Sequence, residues 1–397
     1  MANPPRHLVP GTRHFLGYRR DHGRAGVRNH VLVLPTSVCA GRVAEEIARS
    51  VPGCVSAVHA YGCCQVGADA DLTFRTLLHT AANPNVGASL VVGLGCEGLE
   101  PLPMLRHMER LGKPVAGLII QEVGGTREAV GRGIEAAGRL AEAIAGQQRE
   151  ELPVEALILG LECGGSDPTS GLAANPALGA ASDRLIALGG SAMLSETTES
   201  IGAEHVLARR AASDPVRSRL LEIVQACETR ALRLGQDLRG SQPTPGNIAS
   251  GISSLEEKSL GCIHKAGSAP IQGVVGYGEA PVGRGLFVMD TPGQDVESMC
   301  GMAAGGVQLM VFTTGVGTPT GNPVMPVIKV TANPRTAARM AGNIDLDLSG
   351  VLNGRLSIAE AGDQILAEIL AVASGKPTKA EQLGHAEFSI YRIGPTF

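Results

Sequence analysis

Four of the nine cysteines in this chain lie just past apolar, strand-like runs, each in a turn that contains glycine. They are Cys39, Cys63, Cys96 and Cys163. The carboxyl ends of parallel strands converge on one edge of a sheet, where ligands bind, so we expect these thiols at such an edge. Thiolates are soft ligands, and the pattern therefore predicts a metal or redox site. The alternative for any single thiol is a small buried hydrophobic side chain.

Strand-like runs alternate with helical stretches along the chain. Between residues 30 and 148 four apolar runs are each followed by a helical stretch, which predicts parallel βαβ units. A linker is predicted at QQREELP (147 to 153), after which VEALILGLE begins a second series. We therefore expect the α/β class, with two α/β domains and largely parallel sheets: a Rossmann-like domain at 1–150 and a catalytic domain at 151–397.

Composition excludes several classes of function. No apolar run approaches the roughly 20 residues of a membrane span, and a net charge of -4 with 3% aromatic residues argues against nucleic acid as a partner. Residues 1–15 contain no apolar stretch followed by a cleavage site, so we expect a cytoplasmic protein. The 53 glycines and 24 prolines cluster in turns, where backbone amides can approach a ligand. These features indicate an enzyme that acts on small polar metabolites.

Two of the turns that contain these cysteines also carry side chains that could bind a metal or transfer a proton. His59 stands four residues before Cys63, and a neutral imidazole beside a thiolate suits iron or zinc. The alternative for His59 is a satisfied core histidine. The turn after Cys163 carries Ser166 and Asp167 around two glycines. The alternative for Ser166 or Asp167 is to cap a helix.

Carboxylates and lysines supply candidates for acid and base. Glu196 and Glu199 end a strand and would share a face if the chain turns helical there, where they could act as acid and base or hold a divalent ion. A solvated surface pair is the alternative. Lys258, Lys265 and Lys329 could neutralise a substrate carboxylate, or serve as a base when burial lowers the pKa, although surface lysines are the default.

A long set of motifs resembles one family. The chain is similar to the large, catalytic part of the altronate and galactarate dehydratases, a family that also includes the large subunit of sulfolactate sulfo-lyase. The matching segments are GYRRDHGRAGVRN (17 to 29), the turn from 59 to 63, GLGCE (93 to 97), CGGSDPTSGLAANPALG (163 to 179), SETTESIGAEH (195 to 205), PTPGN (243 to 247), EEKSLGCIHKAG (256 to 267), DTPGQDVES (290 to 298) and FTTGVGTPTGNPVMPVIKVTAN (312 to 333).

The resemblance implies an iron(II)-dependent hydro-lyase that converts a sugar acid to a 2-keto-3-deoxy acid. Relatives can have glycine or alanine where this chain has Cys64 and Cys262, so the resemblance implies that neither thiol is essential. The dehydratases begin with a small β-rich SAF domain, whereas this chain reaches GYRRDHGR by residue 17. We therefore expect a separate small SAF-domain subunit as a partner, and a homo-oligomer.

We assign roles as follows. Iron(II) is expected among the metal ligands Cys39, His59, Cys63, Cys96 and Cys163, with an iron–sulfur cluster as the alternative that the thiols also permit. The base is Lys265 or Glu196, and the acid is Glu199 or Asp167. Residues expected to bind the sugar acid are Asn29, Ser166, Lys258, Thr313, Thr314, Thr318, Asn322 and Lys329. The alternatives to a sugar-acid dehydratase are the sulfolactate sulfo-lyase large subunit and a non-catalytic sugar-acid-binding homologue.

The anaerobically purified protein is expected to contain iron and to lose activity in air or with a chelator, because thiolate-bound ferrous sites are sensitive to oxidation. Elemental analysis and activity assays in and out of air measure this. Visible sulfide-to-iron charge-transfer absorbance would favour a cluster over a single ion. Stoichiometric zinc with full activity in air would contradict the prediction.

Overall fold

Two parallel sheets organise the chain. In this computed structural model, which describes residues 13–20 and 24–397, a four-stranded sheet lies in the first half and a seven-stranded sheet in the second. Every strand pairing within these two sheets is parallel. The predicted α/β class with largely parallel sheets is confirmed. Of residues 1–15, on which the expectation of a cytoplasmic protein rests, the first twelve lie outside the described part.

Helices flank the first sheet on both faces. The strands of the first half are β1 (His14–Gly17), β2 (His30–Pro35), β3 (Cys54–Ser56), β4 (Val86–Gly93), β5 (Val115–Ile119) and β6 (Glu150–Pro153). Its helices are α1 (Gly41–Ser50), α2 (Ala68–Ala82), α3 (Pro101–Glu109), α4 (Ile120–Val123) and α5 (Thr126–Ala145). Side chains of β2 alternate between two cores: Val31 and Val33 pack with α1 and α5, whereas Leu32 and Leu34 pack with α2 and α3.

The first sheet has a topological switch point between β2 and β4. Its strand order is β3-β2-β4-β5, so the chain leaves β2 to one side for β3 and returns to the other side for β4. Ligands of open α/β sheets bind outside the carboxyl ends of strands at such a point. Cys39 follows β2 and Cys96 follows β4, which places both thiols beside this switch point.

The second half contributes the larger sheet and most of the helices. Its strands are β7 (Ile158–Gly164), β8 (Ser191–Leu194), β9 (Ile271–Val275), β10 (Leu286–Met289), β11 (Leu309–Thr314), β12 (Val327–Thr331) and β13 (Leu346–Asp347). Its helices are α6 (Asn175–Ala187), α7 (Glu204–Ala208), α8 (Asp214–Arg233), α9 (Leu238–Ser241), α10 (Pro245–Ala249), α11 (Leu255–Ile263), α12 (Asp295–Ala304), α13 (Pro334–Arg339), α14 (Ile358–Ala373) and α15 (Lys379–Gln382).

The second sheet has its own switch point between β7 and β11. The strand order is β13-β12-β11-β7-β8-β10-β9, and the chain crosses from one side of β7 to the other after β10. Cys163 lies on β7 at this point, and Glu196 follows the neighbouring β8. Parallel pairing carries both to the same edge of the sheet.

The predicted linker at 147–153 is wrong in part, because its last four residues form β6. This strand pairs antiparallel with β1, with Phe15 opposite Leu152. Both side chains are buried in the core of the second half. Apolar burial in this pair outweighs the polar, proline-marked composition that suggested a linker. Among the described residues, no helix is both long and apolar enough to cross a membrane.

Buried amides join the two halves at the amino ends of their strands. The Asn85 amide nitrogen donates to the carbonyl oxygens of Gln308 (2.7 Å) and Val324 (2.9 Å). Its Oδ1 accepts from the backbone N–H groups of Val27 (2.8 Å) and Arg28 (3.3 Å). Asn85 is fully buried, so these four backbone groups depend on one side chain.

Asn85→Leu is expected to lower the free energy of unfolding by about 3 kcal/mol or more, because each buried polar group left unsatisfied costs about 1 to 3 kcal/mol. Urea denaturation followed by circular dichroism measures this. Asn353→Leu, on the exposed surface, is the matched control and should change stability by less than about 0.5 kcal/mol. Equal losses in the two variants would contradict a joining role for Asn85.

Candidate active site

Glu196 occupies a strained position at the end of β8. Its φ is 63°, in the left-handed region, and Cys64 is the one other non-glycine residue with positive φ among those the structure describes. The Glu196 N–H donates to Thr291 Oγ1 (2.7 Å), which fixes the turn to the segment after β10. Left-handed conformations of non-glycine residues cost free energy and concentrate at functional sites. The turn directs a buried carboxylate towards β7.

Lys265 places a charged ammonium group against this carboxylate. It lies in a short 3-10 turn directly after α11, and its side chain is fully buried. The Nζ atom donates to Glu196 Oε2 and, at 3.1 Å each, to the sulfur atoms of Cys163 and Cys262. Burial alone lowers the pKa of Lys265, but the surrounding thiols and carboxylates reverse this and raise it well above its usual range. Lys265 is therefore a cation in the resting protein.

The two buried thiols contact each other as well as the lysine. Cys163 Sγ lies 3.5 Å from Cys262 Sγ and 3.7 Å from Glu196 Oε2. The hydrogen bond with Cys262, and then burial, raise the pKa of Cys163 well above its usual range, so the thiol keeps its proton. Cys163, Glu196 and Cys262 form a group with ligand atoms within 4.8 Å of one another, but the Lys265 ammonium bonds to all three.

Because Cys163 bonds to the Lys265 ammonium in this structure, its role as an iron ligand stays a prediction. A metal ion and a lysine ammonium would compete for the same three atoms. Cys262, which the sequence analysis treats as less essential, proves to be part of the site. The three-residue spacing in the sequence could have indicated this, because Cys262 lies one helical turn before Lys265 and the two side chains share a face.

A second ion pair lies beside the first. Lys258 of α11 donates to Glu199 Oε1 (2.9 Å) and to Gln242 Oε1 (3.0 Å), and both charged side chains are largely buried. Burial raises the pKa of Glu199, while the Lys258 ammonium opposes this shift. Burial lowers the pKa of Lys258, but Glu199 outweighs it and the net shift is upward. As the sequence suggests, the chain turns helical at residues 197–200, and Glu196 and Glu199 line the same pocket.

The pocket at this edge has a volume of about 270 Å³ and polar walls. It is lined by Cys163, Gly164, Gly165, Ser166, Glu196, Glu199, Thr244, Gly246, Asn247, Ser250, Lys258, Gly293, Asp295 and Val316. Asn247 of α10 donates to the Ser166 carbonyl (3.1 Å), which joins the loop after β7 to the segment that covers the pocket. Ser166 and Lys258 are the two predicted substrate-binding residues that line it.

Two further acids, absent from the predicted site, adjoin Glu196. Glu162, Glu196 and Asp295 each place an oxygen within 4.8 Å of the others. Glu162 is fully buried on β7; its Oε2 accepts from Ser195 and Ser298, while its Oε1 has no partner. Burial, and then the Glu196 charge, raise the pKa of Glu162 well above its usual range. The sequence signals were the Glu162-Cys163 dipeptide and the position of Asp295 within the motif DTPGQDVES (290 to 298).

Asp167 caps the turn after β7, which was the alternative to its predicted role as an acid. Its Oδ1 accepts from Thr169 Oγ1 (2.7 Å) and from the Ser170 N–H (3.0 Å). Its Oδ2 accepts from Asn333 Nδ2 (2.8 Å). Asp167 is buried and does not line the pocket. This geometry assigns it to holding the loop that carries Ser166.

Five predicted substrate-binding residues lie outside the pocket: Thr313, Thr314, Thr318, Asn322 and Lys329. The hydroxyl of Thr313 donates to Asn175, and that of Thr314 accepts from the Gly317 N–H. Lys329 is fully buried and donates to the Thr320 carbonyl. Burial lowers its pKa to about 8. Internal hydrogen bonds engage these three side chains, whereas the buried amide nitrogen of Asn322 has no partner among the described residues.

Asn29 lies at the opposite edge of its sheet from the predicted site. It directly precedes β2, so it stands at the amino end of that strand. Its Oδ1 accepts from Arg20 (3.0 Å), and its amide nitrogen donates to the Ile144 carbonyl (3.4 Å). The structure gives Asn29 a role in packing α5 against the sheet.

The thiols of the first half remain exposed at the switch point of the smaller sheet. Cys39, Cys63, Cys64 and Cys96 are all free and exposed, with the Cys63 and Cys64 sulfur atoms 3.7 Å apart. Within residues 13–20 and 24–397, no three ligand atoms from Cys39, His59, Cys63 and Cys96 lie within 4.8 Å of one another.

His59 is a satisfied core histidine in this structure. Its Nε2 contacts the Pro35 carbonyl (2.9 Å), and its Nδ1 accepts from the Tyr61 N–H (3.2 Å). Burial lowers the pKa of His59 to about 4, so the ring is neutral. Both ring nitrogens are engaged in hydrogen bonds in this structure, and the role of His59 as a metal ligand stays a prediction.

Comparison with known proteins matches both halves of the chain to one family. Residues 17–145 match "D-galactarate dehydratase/Altronate hydrolase, second domain", and residues 154–396 match "D-galactarate/Altronate dehydratase, C-terminal". The chain belongs to the D-galactarate/altronate dehydratase family. It is a lyase, of the hydro-lyase type found in this dehydratase family.

Three relatives in this dehydratase family cover nearly the whole chain. The (2R)-sulfolactate sulfo-lyase subunit beta of Chromohalobacter salexigens is 42% identical over 96% of this chain and 98% of its own length. Altronate dehydratase of Bacillus subtilis is 36% identical over 97% of this chain and 79% of its own. Altronate dehydratase of Escherichia coli is 35% identical over 96% of this chain and 78% of its own length.

Lys265→Met should lower the free energy of unfolding by about 3 to 5 kcal/mol, because it leaves the buried Glu196 carboxylate without its cation. The double variant Lys265→Met/Glu196→Gln should lose less than the sum of the single variants, since it removes both charges. Urea denaturation of the four proteins measures this coupling. Additive losses would contradict a charged Lys265–Glu196 pair.

Proposed function

We propose that this protein dehydrates a short polyhydroxy acid, taking the proton from C2 and releasing the 3-hydroxyl, to give a 2-keto-3-deoxy acid. The observation that supports this best is a buried ion pair, Glu196 with Lys265, at the wall of a small polar pocket. Elimination next to a carboxylate needs a base held in place before substrate binds. Membership of the dehydratase family supports the same reaction class.

Glu196 is the better base of the two expected candidates. Lys265 is held as a cation by its buried neighbours and has no free electron pair in that state. Glu196 carries a carboxylate, lines the pocket and is fixed by the lysine that bonds to it. In this assignment Lys265 is a positioning residue, because it orients Glu196 and balances its charge.

The pocket can accept an anionic substrate. Its two carboxylates with lysine partners, Glu196 and Glu199, form ion pairs whose charges cancel. Upward pKa shifts favour the neutral acid form of Glu162 and Asp295. Lys258 lines the pocket, so its ammonium can meet a substrate carboxylate. The Ser166, Thr244 and Asn247 side chains offer hydrogen bonds for the hydroxyl groups of the acid.

Iron bound by Cys39, Cys63 and Cys96 remains part of the proposal, with an iron–sulfur cluster as the alternative. The donor chemistry fits, because three free and exposed thiols follow neighbouring strands at a switch point. Bound iron would supply a Lewis acid to oxygen atoms of the substrate. We assign no step of the elimination to it. Cys96→Ala is a direct probe, since iron content can be measured without turnover.

Sulfolactate is a second candidate substrate. The sulfo-lyase subunit from C. salexigens matches this chain with 42% identity over 98% of its length, more than either altronate dehydratase. Sulfolactate carries a sulfonate where the sugar acid carries its 3-hydroxyl. The same base could start both reactions, because both remove the C2 proton.

The experiment is a substrate panel assayed anaerobically with iron(II), with and without a small SAF-domain subunit as the proposed partner. It comprises aldonic acids, aldaric acids and sulfolactate, with detection of 2-keto acids and of sulfite. Dehydration should give a 2-keto-3-deoxy acid, and Glu196→Gln should lower kcat at least about 100-fold. Asn353→Leu is the control. Sulfite from sulfolactate alone would select the second candidate, and no turnover on any member would leave a sugar-acid-binding protein.

A further inference from the structure

Asp295 lines the pocket close to the base and has no role in the chemistry proposed above. It is the first residue of α12 and is partly buried. One of its oxygens lies within 4.8 Å of carboxylate oxygens of both Glu196 and Glu162. The proposed elimination takes a proton at C2 and must deliver one to the oxygen that leaves C3. A second carboxyl close to the base is placed for that transfer.

The backbone of β7 makes room for Asp295. A Cβ atom at Gly164 would lie 2.5 Å from Asp295 Oδ2 and 2.8 Å from the Phe312 ring. A side chain at position 164 would therefore displace the Asp295 carboxyl or the Phe312 ring from where they lie. The glycine next to Cys163 thus has a specific purpose. It keeps Asp295 against the pocket wall.

The charged groups around Asp295 favour its acid form. Burial, followed by the Glu196 and Glu199 carboxylates, raises the pKa of Asp295 to about 7, and the Lys265 ammonium only partly opposes the shift. Glu162 on β7 adds a further acidic neighbour. By contrast, Lys258 holds Glu199 in an ion pair, and hydrogen bonds occupy both oxygens of Asp167. Two acids in one site, with environments that separate their protonation, divide acid and base roles between them.

We propose that Asp295 is the general acid that protonates the departing 3-hydroxyl group. The inference rests on the proposed dehydration. Glu196 accepts the C2 proton, the C2–H electron pair forms the C2=C3 bond, and the C3–O bond breaks as the oxygen takes the Asp295 proton and leaves as water. The resulting enol becomes the 2-keto acid by losing its hydroxyl proton and gaining a proton at C3. Asp295 then recovers its proton from solvent, and Glu196 returns its proton there.

A general acid is needed only when the leaving group is poor, so the role of Asp295 should depend on the group that leaves C3. Hydroxide is a strong base and leaves C3 only with a proton, whereas chloride or sulfite leaves as a stable anion. Removing the acid should therefore impair dehydration far more than elimination of chloride or sulfite. A residue that merely shapes the pocket would affect all leaving groups alike.

The test compares two substrates that differ only in the leaving group. The probes are the hydroxy acid that the panel identifies and its 3-chloro-3-deoxy analogue, which give the same keto acid. Asp295→Asn should lower kcat/KM for the hydroxy acid roughly 100- to 10,000-fold. It should change kcat/KM for the chloro acid less than about tenfold. Wild-type kcat/KM for the hydroxy acid should fall above about pH 7, where Asp295 loses its proton, and the chloro acid should lack this fall.

Glu297→Gln is the matched control. Glu297 lies in the same first turn of α12 but does not line the pocket, so the variant likewise replaces a carboxyl group by an amide at the helix start. It should leave both rates unchanged. Equal losses on both substrates in Asp295→Asn, or a selective loss in Glu297→Gln, would overturn the assignment. Failure of the wild-type enzyme on both substrates would overturn the proposed function, and the inference with it.

Discussion

A single buried ammonium group ties together the segments that build the pocket. Lys265 bonds to Glu196 after β8, to Cys163 on β7 and to Cys262 on α11. Removing a charge from water costs several kcal/mol, so this lysine can be buried only if every partner is in place. The requirement fixes α11 against the edge of the sheet and directs Glu196 into its left-handed turn. The pocket, the base and the second ion pair all depend on that arrangement.

The position of the site follows from sheet topology. β7 is the strand at which the chain changes sides, and the loops after β7 and β11 lead in opposite directions there, which leaves a space. Helix α12 begins at the same edge and brings Asp295 to it, with Gly164 providing room. The smaller sheet repeats this geometry around exposed thiols after β2 and β4. The chain thus has two switch points, of which one carries acids and lysines and the other carries soft ligands.

Buried carboxylates explain how a pocket this acidic can take an acid as substrate. Glu196 and Glu199 are each matched by a lysine, and the unmatched Glu162 and Asp295 have raised pKa values. A group that keeps its proton adds no charge and can donate one. Stability and chemistry therefore depend on the same balance of burial and neighbouring charge.

The sequence by itself determined the α/β class, the order of most strands and helices, and the family. Those features are local: alternation of strand and helix follows from hydrophobic period, and the motifs are contiguous. Lys265, Glu196, Glu199 and Lys258 were also predictable, as polar groups at strand ends or in long motifs. Tertiary structure alone decided which of them meet. It brought Cys262 to Cys163 across about a hundred residues of chain, turned Thr313 and Lys329 inward, engaged both nitrogens of His59, and paired residues 150–153 with β1. Each outcome depends on burial and on partners distant in sequence, and neither is encoded in the local pattern.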